Sequence, residues 1–326
     1  MVKSDFFCPL TREPLSISDD GMQLTGPSGQ AYPIIDGIPS LLADGSHQTG
    51  SFGNQEYYRA RASEYDLGTD VMFQMLLCDE VAERAQMMDV LNPSAGETIL
   101  EIGAGTCRDT INILNRGAFV YAADLSREMV SVGRDRLQRL NADFSRLNLF
   151  VADAVRLPFP DNFFDAAFHF GGLNLFPDIA LGLAELARVV KPGGRVVAGD
   201  EGTGPWLADT NFSNILRNSN PLFRHEAPLD KIPVLARAVT CRWTLNGSFY
   251  LISFEVAEGE PQLDLDVQFP GWRGGSHRSR YYGKLEGVSP ELRDKVLKAA
   301  SAEGVSVVYW LEKTLDRALS DGAEPH

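Results

Sequence analysis

Residues 98–106 constrain the fold of this chain more than any other stretch of its sequence. They read Thr-Ile-Leu-Glu-Ile-Gly-Ala-Gly-Thr, a short apolar strand that ends in a glycine pair and precedes a helix-like segment. Gly103 and Gly105 allow the backbone to turn tightly and to approach a ligand closely. Such a turn also leaves amide N–H groups free to bind that ligand. A glycine pair alone fits an ordinary strand-to-helix turn equally well, so the downstream sequence has to decide between the two interpretations.

Four further strand-like segments follow the glycine turn, and their ends carry polar groups. The second strand ends at Asp124, where an open α/β sheet presents a carboxylate to a ribose, and the third ends at Asp153. The fourth, residues 163–170, contains a Phe-Asp pair, and the fifth follows a Lys-Pro-Gly-Gly turn at 191–194. Because strands alternate with helix-like segments, the sequence predicts parallel strands joined by right-handed crossovers.

Element boundaries follow from hydrophobic periodicity and from helix and turn signals. Strands are predicted near residues 98–103, 119–123, 148–151, 163–170 and 194–200, and helices near 107–115, 127–140, 178–188 and 207–218. Asn246-Gly247 lies between two β-rich runs and predicts a hairpin at the end of the sheet. Residues 289–320 predict two further helices.

The ordered series of glycine turn, acid, Asp-Ala, Phe-Asp strand and Lys-Pro-Gly-Gly turn resembles the class I S-adenosylmethionine-dependent methyltransferases. It is most similar to the type 11 branch, which includes ubiquinone and menaquinone enzymes, and the resemblance covers roughly residues 60–257. It implies an α/β fold with a Rossmann-like, mostly parallel sheet that ends in an antiparallel hairpin. It also implies S-adenosyl-L-methionine as cofactor, S-adenosyl-L-homocysteine as its product, and an enzyme that methylates a small-molecule acceptor.

The resemblance further implies which residues hold the cofactor. Glu101 would attract the ammonium of the methionine part, and Asp124 would accept hydrogen bonds from both ribose hydroxyls. Surface carboxylates are the alternative interpretation of Glu101 and Asp153. The full predicted set is Glu101, Gly103, Ala104, Gly105, Asp124, Leu125, Met129, Asp153, Ala154, Phe170 and Gly171.

Catalytic candidates lie where the fourth and fifth strands end. Methyl transfer needs a general base only if the nucleophile starts protonated, and His169, Asp200 and Glu201 are the candidates. Side chains alternate along a strand, so His169 is expected on the face opposite Phe170 and fits a core histidine as well as a catalytic one. Asn174 and His225 are predicted to line the acceptor pocket, and Tyr65 fits either a lid over the cofactor or simple packing.

A basic and aromatic segment at residues 272–282 stands out in this acidic chain. Arg278 and Arg280 could clamp a carboxylate or phosphate through forked hydrogen bonds, and Tyr281 and Tyr282 could wall an apolar acceptor. This interpretation predicts an anionic acceptor. The alternative is a solvated loop whose arginines pair with nearby acids.

Three parts of the chain are predicted. Residues 1–45 resemble a zinc-ribbon-like module, residues 55–257 form the methyltransferase domain, and residues 258–326 hold the Arg/Tyr loop and a helix pair. Thr11 replaces the second cysteine of the ribbon, and one thiolate cannot build a tetrahedral zinc site, so a metal-free module is predicted. Its expected packing residues are Phe6, Leu10, Leu15, Tyr32, Ile34, Ile35, Ile38 and Leu41.

Composition and charge limit the kinds of partner and compartment that this chain suits. The 326 residues carry a net charge of −14, which disfavours nucleic acid. No apolar run reaches the ~20 residues that span a membrane, and the start shows no signal-peptide pattern. Four scattered cysteines fit free thiols in a reducing cytoplasm. The apolar C-terminal helix pair is expected to form core or a homodimer contact.

Three other functions compete with small-molecule methylation. The first is methylation of RNA or a protein, suggested by the amino-terminal module. The second is a cofactor-binding regulator or scaffold without turnover. The third is a dehydrogenase, which needs a third glycine where this chain has Arg108.

Overall fold

A computed structural model describes residues 5–43, 56, 58–59, 62, 64–270, 275–278 and 288–321. The chain divides into two compact units, Met1–Glu260 and Pro261–His326. The first unit therefore contains both the amino-terminal module and the large sheet. The three-part division read from the sequence stays a prediction.

A seven-stranded sheet forms the centre of the first unit. Its strands lie in the order β10-β11-β9-β8-β5-β6-β7. Strands β5 to β9 are parallel, whereas β11 runs antiparallel to both of its neighbours, β9 and β10. This arrangement confirms the predicted mostly parallel sheet with a terminal antiparallel hairpin. The strands are β5 (Thr98–Ile102), β6 (Phe119–Asp124), β7 (Leu147–Val151), β8 (Phe164–Phe170), β9 (Val190–Glu201), β10 (Ala236–Thr244) and β11 (Phe249–Val256).

Helices cover both faces of this sheet. They are α1 (Tyr65–Met75), α2 (Glu80–Leu91), α3 (Thr110–Asn115), α4 (Arg127–Arg139), α5 (Ile179–Val189) and α6 (Asn211–Ser219). Side-chain caps fix several starts, since Asp79, Ser126, Asp178 and Thr210 each accept a hydrogen bond from a first-turn amide. Helix α3 begins three residues later than predicted, because Cys107 lies at φ 61° and still belongs to the glycine turn.

Two hydrophobic clusters fill the space between the sheet and the helices on its two faces. One face of the sheet packs Phe150, Phe159 and Phe164 against Leu183 and Leu186 of α5. The other face packs against α2, α3, α4 and α6 through residues that include Met87, Leu91, Ile113, Leu114, Leu137 and Leu216. Both faces of the parallel strands are therefore buried, as all-parallel sheets require.

The Lys-Pro-Gly-Gly motif lies inside β9 rather than in a turn before it. Phe164 pairs with Val190, while Ala166 pairs with Arg195, so the intervening residues bulge out of the ladder. Gly194 fits there because a Cβ atom would lie 2.6 Å from the carbonyl oxygen of Asp165.

The predicted hairpin is present between β10 and β11. Thr244 pairs with Phe249, which leaves a connection of four residues around Asn246-Gly247. Asn246 and Gly247 lie at φ 54° and φ 83°, the left-handed conformations that this pair of residues favours.

The amino-terminal module is a four-stranded antiparallel sheet of β1 (Ser16–Ile17), β2 (Gln23–Thr25), β3 (Ala31–Ile35) and β4 (Ile38–Pro39). Its Phe6 ring packs on Phe150 and Phe159, with centroids 5.1 and 5.5 Å away. The amide of Leu41 donates to the carbonyl of Val151 at 2.8 Å, so the module covers the β7 edge of the large sheet.

The predicted packing set of this module is partly wrong. Leu10 and Ile35 are 49% and 46% exposed, because they fall on the solvent side of the small sheet and its first turn. Phe6, Leu15, Tyr32, Ile34, Ile38 and Leu41 are buried. The Cys8 thiol lies 3.1 Å from the Tyr32 hydroxyl. Among the described residues, no group of three or more metal-ligating side chains is placed to hold an ion.

The second unit contains the predicted helix pair, α7 (Pro290–Ala302) and α8 (Val307–Asp321). Ser289 caps α7 by accepting a hydrogen bond from the amide of Leu292. Within the parts of the chain that the structure describes, every helix is too short or too polar to cross a membrane.

Candidate active site

A pocket opens at the carboxyl ends of the parallel strands β5, β6, β7 and β8, the edge where open α/β sheets bind ligands. Its empty space is about 680 Å³ when counted out to the mouth. It is lined by Tyr58, Tyr65, Ile102, Gly103, Gly105, Asp124, Leu125, Met129, Ala152, Asp153, Ala154, His169, Gly171, Gly172, Leu175, Phe176 and Pro177. Eight of the eleven predicted cofactor residues are therefore in its wall.

The glycine turn needs both glycines. Gly103 and Gly105 lie at φ 69° and φ 53°, conformations that side chains disfavour. At Gly103 a Cβ atom would also come within 2.7 Å of the His169 ring. The missing side chain thus lets the turn and the histidine occupy adjoining parts of the same pocket.

Asp124 ends β6 and reaches across to the glycine turn. Its Oδ2 accepts a hydrogen bond from the amide of Gly105 at 3.0 Å, and its Oδ1 accepts one from the amide of Ser126 at 2.9 Å. Burial raises the pKa of this carboxyl, while the two amides and that of Leu125 oppose the rise. Each carboxylate oxygen can accept a further bond, which matches the two vicinal hydroxyls of a ribose.

Apolar and small residues continue the wall beyond Asp124. Met129 is buried in the first turn of α4, and its Cε would lie 3.4 Å from a Cβ atom on Gly105. Asp153 is buried, and its Oδ1 accepts from the amide of Val155 at 3.1 Å. Together with Leu125 and Ala154, these residues offer a flat apolar site with one polar edge, which suits an adenine.

Three predicted cofactor residues do not line the pocket. Glu101 is buried beneath the turn, where burial and the nearby charge of Asp109 raise its pKa to about 8. Ala104 contributes a backbone bond to the carbonyl of Ala123. Phe170 turns its ring toward Phe249, with centroids 5.4 Å apart. The alternation of side chains along β8 explains this last position, because it directs His169 and not Phe170 into the pocket.

His169 is fully buried and has an unusual hydrogen-bonding state. Its Nδ1 lies 2.6 Å from the carbonyl oxygen of Ile102. A carbonyl only accepts, so Nδ1 carries the proton, and Nε2 presents a lone pair. Among the described residues Nε2 has no hydrogen-bond partner. Burial lowers the pKa of the ring, which is therefore neutral near pH 7.

The acids at the end of β9 form a polar cluster behind the pocket. Asp200 accepts hydrogen bonds from the amide of Asn174 and, at 2.8 Å, from the amide of Glu201. Asn174 donates to the carbonyl of Glu201 at 2.7 Å and accepts from the Tyr250 hydroxyl at 2.8 Å. Burial, and next the charge of Asp200, raise the pKa of Glu201 well above its ordinary value. None of Asn174, Asp200 and Glu201 is in the lining of the pocket.

Two tyrosines that precede the sheet complete the pocket. The rings of Tyr58 and Tyr65 meet edge to face, with centroids 6.0 Å apart. Burial, and next the charge of Glu201, raise the pKa of Tyr65 to about 12. Tyr65, for which the sequence predicts either a lid or simple packing, lies in the pocket wall, and Tyr58 joins it without having been predicted as a site residue.

Further lining residues that the sequence reading missed are Ile102, Ala152, Gly172, Leu175, Phe176 and Pro177. Most belong to the loop after β8. Loops at the carboxyl edge of a parallel sheet commonly bind ligands, so the position of this loop in the sequence could have identified these residues.

The other predicted acceptor residues lie elsewhere or are not described. The side chain of His225 is exposed and does not line the pocket. Arg278 belongs to the second unit, where its Nε donates to Asp266 at 2.6 Å and a second nitrogen donates at 2.9 Å. Arg280, Tyr281 and Tyr282 lie outside the described residues.

Solved structures similar to this chain include two methyltransferases. A SAM-dependent methyltransferase from Aquifex aeolicus is 17% identical, with a TM-score of 0.41, and the match covers 54% of this chain and 90% of that one. Geranyl diphosphate C-methyltransferase from Streptomyces coelicolor, solved with S-adenosyl-L-homocysteine, is 17% identical with a TM-score of 0.44, covering 55% and 78%.

Sequence comparison gives closer matches. Residues 100–198 match the family model described as a methyltransferase domain. A demethylmenaquinone methyltransferase from Mycobacterium sp. is 36% identical over 218 residues, which cover 66% of this chain and 83% of that protein. The Beutenbergia cavernae and Corynebacterium glutamicum enzymes of the same name are each 40% identical, over 44% and 35% of this chain. The chain spans about half the length of these two relatives, 56% and 45%. The chain belongs to the class I S-adenosylmethionine-dependent methyltransferases.

Proposed function

We propose that this protein transfers a methyl group from S-adenosyl-L-methionine to a small, apolar acceptor that carries an ionisable hydroxyl, a demethylmenaquinone-type quinol. The observation that carries the proposal is the buried His169: its side chain lines a pocket shared with Tyr58, Tyr65 and Phe176, and its Nε2 has no hydrogen-bond partner among the described residues. A neutral imidazole in an aromatic pocket suits removal of a hydroxyl proton from an uncharged substrate.

The cofactor fits the half of the pocket around the glycine turn. Asp124 retains acceptor capacity for the ribose hydroxyls, and Leu125, Met129 and Ala154 offer an apolar surface for the base. When bound, S-adenosyl-L-methionine supplies an activated methyl group, so the protein mainly has to position the reactants.

His169 is the proposed general base. The bond from Nδ1 to the carbonyl of Ile102 fixes the ring and its tautomer, so that Nε2 is the atom that accepts the proton. Withdrawal of a hydroxyl proton would make the acceptor electron-rich and nucleophilic. The charge of Asp200 favours the protonated ring and would stabilise the imidazolium that results. Asp200 thus acts as electrostatic support in this proposal.

An uncharged acceptor is better supported than an anionic one. The described lining of the pocket contains Asp124 and Asp153 and no lysine or arginine. Carboxylates would repel an anion in this partly buried space. Arg278, which the sequence predicts as part of an anion clamp, is paired with Asp266, and this pairing supports the alternative of a solvated loop.

The competing functions have less support. A net charge of −14 opposes binding to RNA. A regulator without turnover would have no need of a buried imidazole whose Nε2 lacks a partner among the described residues, because such an atom costs free energy unless a ligand satisfies it. The relatives named as demethylmenaquinone methyltransferases support a small quinone-type acceptor.

The test is a transfer assay with methyl-labelled S-adenosyl-L-methionine and a short-chain demethylmenaquinone. The matched control is the same compound with both hydroxyls of its reduced form blocked as ethers. We expect labelled product from the reduced, unblocked compound and none from the blocked one. Cofactor binding without transfer to any hydroxylated apolar acceptor would overturn the proposal.

A further inference from the structure

We propose that Asp66, which belongs to neither the pocket wall nor the acid cluster, is a positioning residue that holds the start of helix α1 and thereby keeps Tyr65 over the cofactor. This inference rests on the proposed function, because it concerns the same pocket. Tyr65 is the first residue of α1 and lines the pocket, whereas Asp66, which follows it immediately, does not.

Both carboxylate oxygens of Asp66 are engaged by groups from other elements. Its Oδ1 accepts hydrogen bonds from the Thr106 hydroxyl at 2.6 Å and from Arg108 Nε at 2.9 Å. Its Oδ2 accepts one from Arg136 at 3.0 Å. Arg108 also donates to the backbone carbonyl of Asp66 at 2.9 Å, so it grips both the side chain and the main chain.

These partners belong to the glycine turn and to helix α4, which both contribute to the cofactor half of the pocket. Thr106 follows Gly105 directly, and Arg108 lies between that turn and α3. Arg136 is in α4, the helix whose first turn carries Met129. Asp66 therefore links the start of α1 to the glycine turn and to α4. The Tyr65 ring lies 3.9 Å from where a Gly105 Cβ would be.

Apolar packing alone would hold the start of α1 weakly. Leu67, Val71 and Met75 are 68%, 54% and 50% exposed, and Phe73 is the buried residue of the helix. Phe73 lies near the carboxyl end. The polar contacts of Asp66 and Arg108 are thus the principal described attachment of the amino-terminal turn. The Arg108 side chain is only 8% exposed, and partly buried, hydrogen-bonded ion pairs are screened less than surface pairs.

The closing experiment compares Asp66→Asn with Asp70→Asn. Asp70 lies one turn further along α1 and also pairs with Arg108, at 2.7 Å, but among the described contacts it has none with Thr106 or Arg136. Calorimetry with S-adenosyl-L-homocysteine should show the dissociation constant raised about tenfold by Asp66→Asn and less than twofold by Asp70→Asn. Arg136→Gln, which removes the Oδ2 bond alone, should give an intermediate increase.

A double-mutant cycle separates positioning from a general loss of structure. If Asp66 acts through Tyr65, then Asp66→Asn should weaken binding about tenfold in the wild-type background and less than twofold when Tyr65 is already alanine. Near-ultraviolet circular dichroism should also lose its tyrosine change on ligand binding in Asp66→Asn and keep it in Asp70→Asn.

The outcomes are distinguishable. Equal effects of Asp66→Asn and Asp70→Asn, or additive effects with Tyr65→Ala, would overturn the positioning role while leaving the proposed function intact. Absence of S-adenosyl-L-homocysteine binding by the wild-type protein would overturn both.

Discussion

The two halves of the pocket are built in different ways. The cofactor half consists of loops that follow β5, β6 and β7 in direct succession, and its key contact joins Gly105 to Asp124. The proposed acceptor half combines Tyr58, from before the sheet, with His169, near the end of β8, and Phe176, from the loop after that strand. One half is therefore encoded by short sequence motifs, and the other depends on tertiary packing.

This difference has a functional consequence. Backbone amides and one carboxylate can bind an invariant cofactor with few contacts from other parts of the chain. Side chains from distant segments can change separately, so the acceptor half is where related proteins on the same scaffold can diverge. We expect substitutions in the first half to alter cofactor affinity and substitutions in the second to alter turnover.

The largest expected effect is that of His169→Gln. Loss of the base should lower kcat about a thousandfold, about 4 kcal/mol, with S-adenosyl-L-homocysteine affinity within threefold of wild type. Because burial lowers the pKa of His169, kcat/KM of the wild type should rise with pH through a value below 6.5 and then level off. The variant should lack that rise. Labelled-methyl transfer across pH 5–8 measures both.

His225→Gln is the matched control, because His225 is an exposed histidine in the same unit. It should leave kcat and the pH profile unchanged. An equal loss of activity in the two histidine variants would remove His169 from the role of base.

Asp124→Ala should have the next largest effect, confined to the cofactor half. Loss of the charged acceptor should weaken S-adenosyl-L-homocysteine binding about a hundredfold, about 2.7 kcal/mol. Asp135→Ala is the control, since that exposed carboxylate lies on α4 and pairs with Arg134. Calorimetry on both proteins tests this. Unchanged affinity in Asp124→Ala would show that the cofactor half is misassigned.

Glu101→Gln should have a smaller effect, on stability rather than binding. Glu101 has a pKa of about 8 in the folded protein, against an ordinary value of 4.5. Between these two pH values its carboxyl group is protonated in the folded protein and ionised in the unfolded chain. This contribution to stability is present below pH 4.5 and is lost as pH rises toward 8. Between pH 6 and pH 8 this contribution to the free energy of unfolding falls by about 2 kcal/mol.

Glutamine cannot ionise, so the variant should lose less stability than wild type over that interval. Urea unfolding at pH 6 and pH 8 measures the difference, with the exposed Glu258→Gln as control. Parallel pH curves for wild type and Glu101→Gln would contradict the buried, protonated state of Glu101.

The sequence predicted the sheet well for a physical reason. Each parallel strand is buried on both faces and reads as an apolar run, and glycines or capping side chains mark the turns between elements. The Asn246-Gly247 hairpin was equally readable, because those residues tolerate the left-handed backbone that the turn requires.

Predictions that depended on where a side chain points were weaker. Glu101 lies in the strand beneath the turn rather than in the pocket, and His169, not Phe170, lines the pocket. Strand alternation offered two faces for His169, and packing on Phe176, with centroids 4.9 Å apart, fixed one of them. Lys-Pro-Gly-Gly at 191–194 reads as a turn, but pairing on both sides of it makes it a bulge.

The most direct test of the account is isothermal titration of the full-length protein with S-adenosyl-L-homocysteine and, separately, with NAD. The glycine turn and Asp124 predict one-to-one binding of S-adenosyl-L-homocysteine with micromolar or tighter affinity and no detectable heat from NAD. Absence of binding by S-adenosyl-L-homocysteine, or equal binding of the two ligands, would contradict the claim that this sheet edge holds a sulfonium methyl donor.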